Sequence, residues 1–215
     1  IDSPFVRIAT ISQTRDGEKR VALTPEAAKK LVSDGHTVTI ETGAGIAIGA
    51  VDEQYREAGA LVVDNRAGAL GAADLITSIN HEHLDDLPGL SERHTLVALL
   101  DPLWKPGPMA DLAATGATAL SLELVPRITR AQSMDVLSSM ATVAGYQAVL
   151  TAAQQLPRMF PLLMTAAGTV PAARIVVLGA GVAGLQAIAT ARRLGAIVEA
   201  YDVRPAAAEQ IRSLG

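Results

Sequence analysis

The sequence predicts an α/β fold in which two units with doubly wound parallel sheets are joined by a long helix, the second unit being incomplete. Three observations support this prediction. Short apolar strand patterns alternate with helical segments along the 215 residues. A long helical pattern follows residue 135, and a β-branched strand then runs into a glycine-rich turn. The 49% of hydrophobic residues is enough to form a sizeable core.

The elements of the first unit follow from capping and turn residues. Thr24 is expected to cap a helix with Pro25 at its first position, and Gly35 is expected to end that helix. The predicted strands cover residues 6–11, 36–41, 61–63, 75–79, 95–100 and 118–125. The predicted helices cover residues 25–34, 52–58, 66–70 and 108–114. This alternation is typical of a complete small α/β domain.

A long helix is predicted from residue 136 to about Gln155, because Pro157 and Pro161 follow it. Apolar residues recur every three or four positions, so one face is expected to be buried. The expected buried face comprises Leu137, Met140, Ala141, Ala144 and Ala148. The residues between this helix and the next strand, which include Gly168 and Pro171, are expected to form a loop.

The strand–turn–helix segment near the carboxyl end is the most specific motif. Gly179, Gly181 and Gly184 form G-x-G-x-x-G directly after a β-branched strand. The first glycine permits a tight turn, the second lets the backbone approach a pyrophosphate, and the third lets helix and strand pack closely. A second strand ends at Asp202, where an acid can bind ribose hydroxyls. The segment therefore predicts a Rossmann-like dinucleotide site in preference to a purely structural turn.

Arg204 bears on which dinucleotide this site would take. An arginine two residues after the acid can accept a 2′-phosphate, as in sites for NADP. Asp202 would repel that phosphate, so the sequence favours NAD.

Composition argues against several function classes. The net charge of −4 and the aromatic content of 3% argue against a nucleic-acid surface. The chain has no cysteine and hence no disulfide or thiolate nucleophile. His81 and His83 flank Glu82, but a polar loop is favoured over a metal site because no third ligand is evident. We expect no signal peptide, and residues 175–191 fit a strand–turn–helix better than a membrane span.

Three segments together resemble the NAD(H)-binding domain I of proton-translocating nicotinamide nucleotide transhydrogenases. They are RITRAQSMDVLSSMATVAGYQAVL, MTAAGTVPAARIVVLGAGVAGLQAIATARRLGA and YDVRPAAAEQIRSLG. The amino-terminal EKRVALTPEAAKKLVSDGHTVTIETGAG is shared more broadly, with alanine dehydrogenase and its relatives. RAQSMD is specific to the transhydrogenases, whereas the glycine-rich turn is not.

The resemblance implies direct hydride transfer from NADH on this chain to NADP⁺ on a partner domain, coupled to proton translocation. It implies no metal and no general acid or base; Arg127, Gln132 and Asp135 would orient the nicotinamide, since transfer between two nicotinamides needs alignment. The implied cofactor contacts are Arg127, Gln132, Ser133, Met134, Asp135, Ser138, Gly179, Gly181, Val182, Gly184, Asp202, Val203 and Arg204. From the residues alone, the alternative is that Ser133 and Asp135 cap the long helix.

The resemblance also implies an assembly: a homodimer of this chain with a membrane-spanning domain and an NADP(H)-binding subunit, peripheral on the cytoplasmic side of the inner membrane. The predicted regions are an amino-terminal α/β domain over 1–126, the RAQSMD loop and linker helix over 127–172, and the beginning of the NAD(H)-binding Rossmann domain over 173–215. Because half of that fold is missing, we expect the chain by itself to bind NADH weakly and to be inactive.

Alanine dehydrogenase is the main alternative enzyme. That family needs a cation for the substrate carboxylate and a general acid/base. Of the expected set only Arg20 remains, because the lysine position falls in Ser78–Asn80 and the histidine position in Leu100–Pro102. The first departure also leaves the role of the surface around Thr77–His83 open. The third possibility is a non-catalytic NAD-binding fragment.

Overall fold

A computed structural model describes residues 5–13, 15–80 and 87–215 of the chain. The described residues divide into two compact units, one reaching to Met134 and the other covering Asp135–Gly215. Both are built from parallel strands and helices, which confirms the predicted α/β class. The His81–His83 segment lies outside the described residues, so the expectation of a polar loop there stays a prediction.

In the described part of the first unit, six parallel strands form one sheet. They are β1 Arg7–Thr10, β2 Thr37–Glu41, β3 Leu61–Val63, β4 Leu75–Asn80, β5 Thr95–Leu99 and β6 Thr118–Ser121. The helices are α1 Pro25–Ser33, α2 Asp52–Glu57, α3 Arg66–Gly71 and α4 Pro106–Ala114. The strand order β3-β2-β1-β4-β5-β6 is that of a doubly wound sheet, whose crevice lies where the order reverses, between β1 and β4.

The central strand β1 is buried on both faces, as parallel strands covered by helices are. Its residues Ile8–Thr10 are at most 6% exposed, and Ile11 after it is buried too. One apolar cluster lies around β2, α1 and α2 and includes Ile40 and Tyr55. A second lies around β4, β5 and α4 and includes Leu96. These two clusters form the core of the first unit.

The capping residues predicted helix α1 correctly. The Thr24 hydroxyl accepts a hydrogen bond from the Ala27 amide at 3.3 Å, and Pro25 is the first helical residue. Two boundaries were wrong: the helix predicted over 108–114 begins at Pro106, and the strand predicted over 118–125 ends at Ser121 and continues as a 3-10 helix over Leu122–Leu124. The Ser121 hydroxyl donates to the Glu123 carboxylate at 2.6 Å, which stabilises this turn.

The second unit contains a helix, an antiparallel hairpin and a β–α–β segment. Its elements are α5 Val136–Gln155, β7 Leu163–Thr165, β8 Gly168–Val170, β9 Arg174–Leu178, α6 Val182–Arg193, β10 Ile197–Tyr201 and α7 Ala207–Ser213. Strands β9 and β10 are parallel and in register from Arg174–Ile197 to Leu178–Tyr201. The hairpin β7–β8 lies where a loop was predicted, so that prediction was wrong.

The core of the second unit lies between α5, α6 and β9. It includes Val149 from α5, Ala191 from α6 and Phe160 from the connection between α5 and β7. The opposite face of the β9–β10 pair carries exposed apolar side chains, among them Leu178 and Tyr201. Side chains thus alternate in burial along both strands, as the pleat requires.

The buried face of α5 differs from the predicted one. Gly145 and Val149 are buried, and Ala141 is half-buried on the same stripe, whereas Met140, Ala144 and Ala148 of the predicted face are exposed. Small and apolar residues occur all around this helix, so sequence periodicity could not identify the contact face. The decisive feature is α6, which packs on the stripe that carries a glycine.

Within the described residues, α5 is the one helix long and apolar enough to cross a membrane by length and composition. Its contacts with α6 at Gly145 and Val149 give part of this helix a partner inside the second unit.

Candidate functional site

The glycine-rich turn between β9 and α6 has the backbone that its sequence predicts. Gly179 has a φ of +95°, a region that side chains other than glycine rarely occupy. Its amide donates to the carbonyl oxygen of Tyr201 at 2.7 Å, which joins the turn to the end of β10. A Cβ on Gly184 would overlap the carbonyl oxygen of Gly179 and lie 2.8 Å from its carbonyl carbon. The third glycine of the motif is therefore required for this turn to close against α6.

The first turn of α6 is arranged as an anion site. Gly181 is the N-cap, and within residues 135–215 no side chain caps this terminus. The amides of the first turn therefore keep their hydrogen-bonding capacity and point out along the helix axis. A Cβ on Gly179 or on Gly181 would meet nothing within 4 Å, so there is open space over the turn. Together these features fit a phosphate or pyrophosphate group.

Asp202 lies beside this turn, directly after β10. One carboxylate oxygen accepts from the Ala180 amide at 2.7 Å and from Arg204 Nη2 at 3.0 Å. The other accepts from the Arg204 amide at 2.8 Å and from Arg204 Nε at 2.9 Å. The hydrogen bonds from the Arg204 guanidinium, followed by that from Ala180, hold the pKa of Asp202 well below its usual value. The acid is thus ionised, 7% exposed and tied to the turn.

Arg204 therefore has a role that its sequence position did not reveal. Its guanidinium donates two hydrogen bonds to Asp202, one from Nε and one from Nη2. The same Nη2 also donates to the carbonyl oxygen of Ala180 at 3.2 Å. The neighbouring Val203 is exposed. A ribose that binds Asp202 must share or replace the guanidinium donors.

Asp135 caps the long helix α5, as the alternative interpretation of RAQSMD predicted. Its carboxylate accepts from the Ser138 amide at 2.8 Å and from the Ser138 hydroxyl at 2.6 Å. Asp135 and Ser138 are thus in direct contact and both are half-buried. A capping role and a contact with a ligand are compatible, because a carboxylate has more lone pairs than these two bonds use.

The other residues of this segment lie in the first unit. Thr129–Met134 form a 3-10 helix in which Ala131 is buried. Arg127, Gln132 and Ser133 are exposed around this anchor, as is Met134. Predictions of their contacts with a nicotinamide stay predictions.

The crevice of the first unit carries a polar cluster that bears on the alternative enzyme. Arg20 donates to both carboxylate oxygens of Glu18, Nε at 2.8 Å and Nη2 at 2.6 Å, and Asn80 Nδ2 donates to the same carboxylate at 2.5 Å. The hydrogen bonds from Arg20 lower the pKa of Glu18 from 4.5 to about 2. The cation that an amino-acid substrate would need is therefore paired with a neighbouring acid, and the segment Ser78–Asn80, where the lysine of that family was expected, contains no lysine.

In residues 5–13, 15–80 and 87–215, no three His, Cys, Asp or Glu side chains form a group that could hold a metal ion.

Gly145 was missed by the sequence analysis: a Cβ there would overlap the carbonyl oxygen of Ala183 in the first turn of α6. A glycine in the middle of an apolar helix was the signal that could have found it.

The fold and the glycine-rich turn together identify the class of protein. A doubly wound parallel sheet, together with a β–α–β segment that has an uncapped helix N-terminus and an acid after the second strand, characterises the dinucleotide-binding α/β proteins.

The chain belongs to the alanine dehydrogenase/PNT family. The model of the amino-terminal domain of that family matches residues 11–144, and the model of its carboxyl-terminal domain matches residues 148–215. The chain is 46% identical over 215 residues to an NAD(P) transhydrogenase subunit alpha protein of Rhodospirillum rubrum, covering 98% of this chain and 56% of that protein.

Two solved structures are similar over nearly the whole chain. The transhydrogenase from Sinorhizobium meliloti superposes with a TM-score of 0.93 at 49% identity, covering 97% of this chain and 62% of that one. An L-alanine dehydrogenase superposes with a TM-score of 0.84 at 28% identity, covering 97% and 58%. The expected resemblance to transhydrogenases is thereby confirmed. The chain spans a little over half the length of these relatives.

Proposed function

We propose that this chain is the NAD(H)-binding component of a proton-translocating transhydrogenase. The observation that carries the proposal is the uncapped N-terminus of α6 beside an ionised Asp202 that is hydrogen-bonded to the Ala180 amide of the turn. The higher identity to transhydrogenase alpha subunits than to the solved alanine dehydrogenase supports the choice within the family.

The residues of the second unit fit a dinucleotide. The amides of the first α6 turn would hold the pyrophosphate, since helix N-termini favour anions. Asp202 would accept hydrogen bonds from the adenosine ribose, and its charge disfavours a 2′-phosphate, which makes NAD(H) the proposed ligand. When bound, NADH supplies the hydride, and the NADP⁺ that accepts it belongs to a partner domain.

The RAQSMD residues would orient rather than react. Arg127 and Asp135 would hydrogen-bond the carboxamide and set the ring rotation, and Gln132 would lie where the second nicotinamide approaches. Such transfer depends on alignment at a near-attack distance and needs no proton donor. In this proposal Ser133, Met134 and Ser138 also contact the cofactor, and Asp135 retains its capping role.

We further propose that the chain acts as a homodimer, together with a membrane-spanning domain and an NADP(H)-binding subunit, on the cytoplasmic side of the inner membrane. Proton translocation would belong to the membrane-spanning domain. The relatives named as transhydrogenase subunits support membership of a multi-subunit complex, and the other assignments are what the resemblance to transhydrogenases implies.

The test is hydride transfer by the full-length protein mixed with the NADP(H)-binding domain, followed with a nicotinamide analogue. We expect Gln132→Asn and Asp135→Asn each to slow transfer about 100-fold, since a misplacement of about 1 Å costs that much. Asparagine caps helices as well as aspartate, so Asp135→Asn should leave the unfolding midpoint unchanged. Arg158→Gln, an exposed change outside RAQSMD and the glycine-rich turn, is the control and should leave the transfer rate unchanged.

Alanine dehydrogenation is the competing outcome. Formation of NADH from alanine and NAD⁺ without a partner domain would refute the proposal. We expect none, because Glu18 pairs with Arg20 and the segment Ser78–Asn80, where a lysine is needed, contains none.

A further inference from the structure

Helices α5 and α6 approach each other so closely that only a glycine fits at the crossing. A Cβ on Gly145 would overlap the carbonyl oxygen of Ala183 and would lie 2.9 Å from its carbonyl carbon and 3.0 Å from its Cα. All three atoms belong to the α6 backbone, so no side chain could rotate away to make room. An alanine at this position must push the two helices apart.

The point of contact on α6 lies in the turn that would hold the pyrophosphate. Ala183 is the second residue of α6, and the next residue, Gly184, is packed against the carbonyl group of Gly179. The first turn of α6 is therefore held by backbone atoms from two directions, by α5 through Gly145 and by the glycine-rich turn. Its position relative to α5 is set by the absence of a side chain at Gly145.

The same helix α5 begins at the Asp135–Ser138 cap. Gly145 is ten residues after Asp135, which corresponds to about 15 Å along a helix axis. Because α5 is continuous from Val136 to Gln155, it acts as a rigid spacer between that cap and the α6 N-terminus. Asp202 is fixed to the α6 N-terminus and not to the Asp135–Ser138 cap, because the Ala180 amide of the turn donates a hydrogen bond to its carboxylate.

We propose that Gly145 is a positioning residue that sets the spacing between the α6 N-terminus and the Asp135–Ser138 cap. This inference rests on the proposed function, in which the α6 N-terminus holds the pyrophosphate of a dinucleotide and the Asp135–Ser138 cap contacts its nicotinamide. A mononucleotide such as 5′-AMP would use only the α6 N-terminus and Asp202, which move together. The spacing therefore matters for NADH and is irrelevant for 5′-AMP.

The test measures the dissociation constants of NADH and of 5′-AMP for the full-length protein and its Gly145→Ala variant. A Cβ needs about 3.4 Å from a backbone atom, so the helices must separate by roughly 1 Å, and such a displacement costs about 10- to 100-fold for the group it misplaces. We expect NADH affinity to fall by that factor and 5′-AMP affinity to change less than about threefold. Equal losses for both ligands, or no loss for either, would overturn the inference.

Three further variants separate positioning from destabilisation. Adding Ala183→Gly to Gly145→Ala should restore nothing, because the overlap is with the backbone; restored NADH affinity would count against the inference. Val149→Ala leaves a cavity at the same interface and should lower the unfolding midpoint. It should not change the ratio of the NADH affinity to the 5′-AMP affinity. If Gly145→Ala does not fold, Ala141→Leu one turn earlier on the stripe should lower the same ratio more mildly, and an unchanged ratio would refute the mechanism.

Wild-type protein distinguishes the proposed function from the positioning role. Failure of the wild type to bind either nucleotide refutes the proposed function and this inference with it. Binding of both nucleotides with an unchanged ratio in Gly145→Ala refutes only the positioning role.

Discussion

Replacing Asp202 by asparagine tests the nucleotide preference most directly. Each oxygen of this carboxylate now accepts two hydrogen bonds, one pair from Arg204 N and Nε and the other from Ala180 N and Arg204 Nη2. Asparagine keeps one oxygen and turns the other into an NH₂ donor. That donor must face either the Ala180 amide or the guanidinium, both of which are donors themselves. The asparagine variant therefore loses one of the two acceptor oxygens and the whole negative charge of the carboxylate.

The expected change in affinity differs between NADH and NADPH. A ribose hydroxyl donating to a carboxylate forms a charge-assisted bond, and its loss lowers NADH affinity about 10- to 100-fold. NADPH is affected in the opposite direction, because its 2′-phosphate no longer meets a negative charge while Arg204 remains next to it. We expect NADPH affinity to rise about tenfold or more, so the NADH to NADPH affinity ratio should fall at least about 100-fold.

The assay is titration of both reduced nucleotides, followed by nicotinamide fluorescence, in wild type, Asp202→Asn and Glu199→Gln. Glu199 is an exposed acid on β10 paired with Arg174, so Glu199→Gln removes the same charge without touching the turn. It should shift the ratio by less than about threefold, since exposed charges are screened over such distances. An Asp202→Asn ratio within about threefold of wild type would refute the assignment of Asp202 as the ribose acceptor.

Three predictions concern stability, and they test a close backbone contact, a buried hydrogen bond and an ion pair. Gly184→Ala should unfold at lower urea and lose NADH affinity, because its Cβ would overlap the turn carbonyl; overpacking of this kind costs about 1–3 kcal/mol, and equal urea midpoints would contradict it. Tyr55→Phe should destabilise the protein by about 1–2 kcal/mol, since the buried Tyr55 hydroxyl donates to the Leu23 carbonyl oxygen at 2.9 Å; unfolding in urea measures this. The pKa of Glu18 is lowered to about 2 by Arg20, so its stabilisation is present above about pH 4.5 and is lost as pH falls towards 2; Glu18→Gln should therefore lose less stability than wild type over that range in acid titrations.

Much of the second unit could be predicted because its rules are local. A positive φ at Gly179, the N-cap at Gly181 and the acid directly after β10 are consequences of residue types at fixed spacing, and the structure has all of them. The same holds for the Thr24 cap of α1. Predictions of this kind need no knowledge of distant contacts.

The predictions that failed involve both short-range and distant contacts. The strand predicted over 118–125 ends at Ser121 because Glu123 accepts from Ser121 and from the amide of Asp101. The hairpin at 163–170 forms in a segment whose glycine and prolines indicated a loop. Roles assigned to Arg127, Gln132 and Asp135 from the family resemblance stay predictions until ligand binding is measured.

The amino-acid sequence determined the α/β class, the dinucleotide turn and the kinship with transhydrogenases, because periodicity, glycine placement and capping act within a few residues of one another. Only the tertiary structure decided which face of α5 is buried, that the α6 backbone meets α5 at Gly145, and that the Arg204 guanidinium bridges Asp202 and the Ala180 carbonyl oxygen. The first two depend on where α6 packs, since a largely small and apolar helix does not encode its contact face in its own periodicity, and the third depends on the turn 24 residues before Arg204.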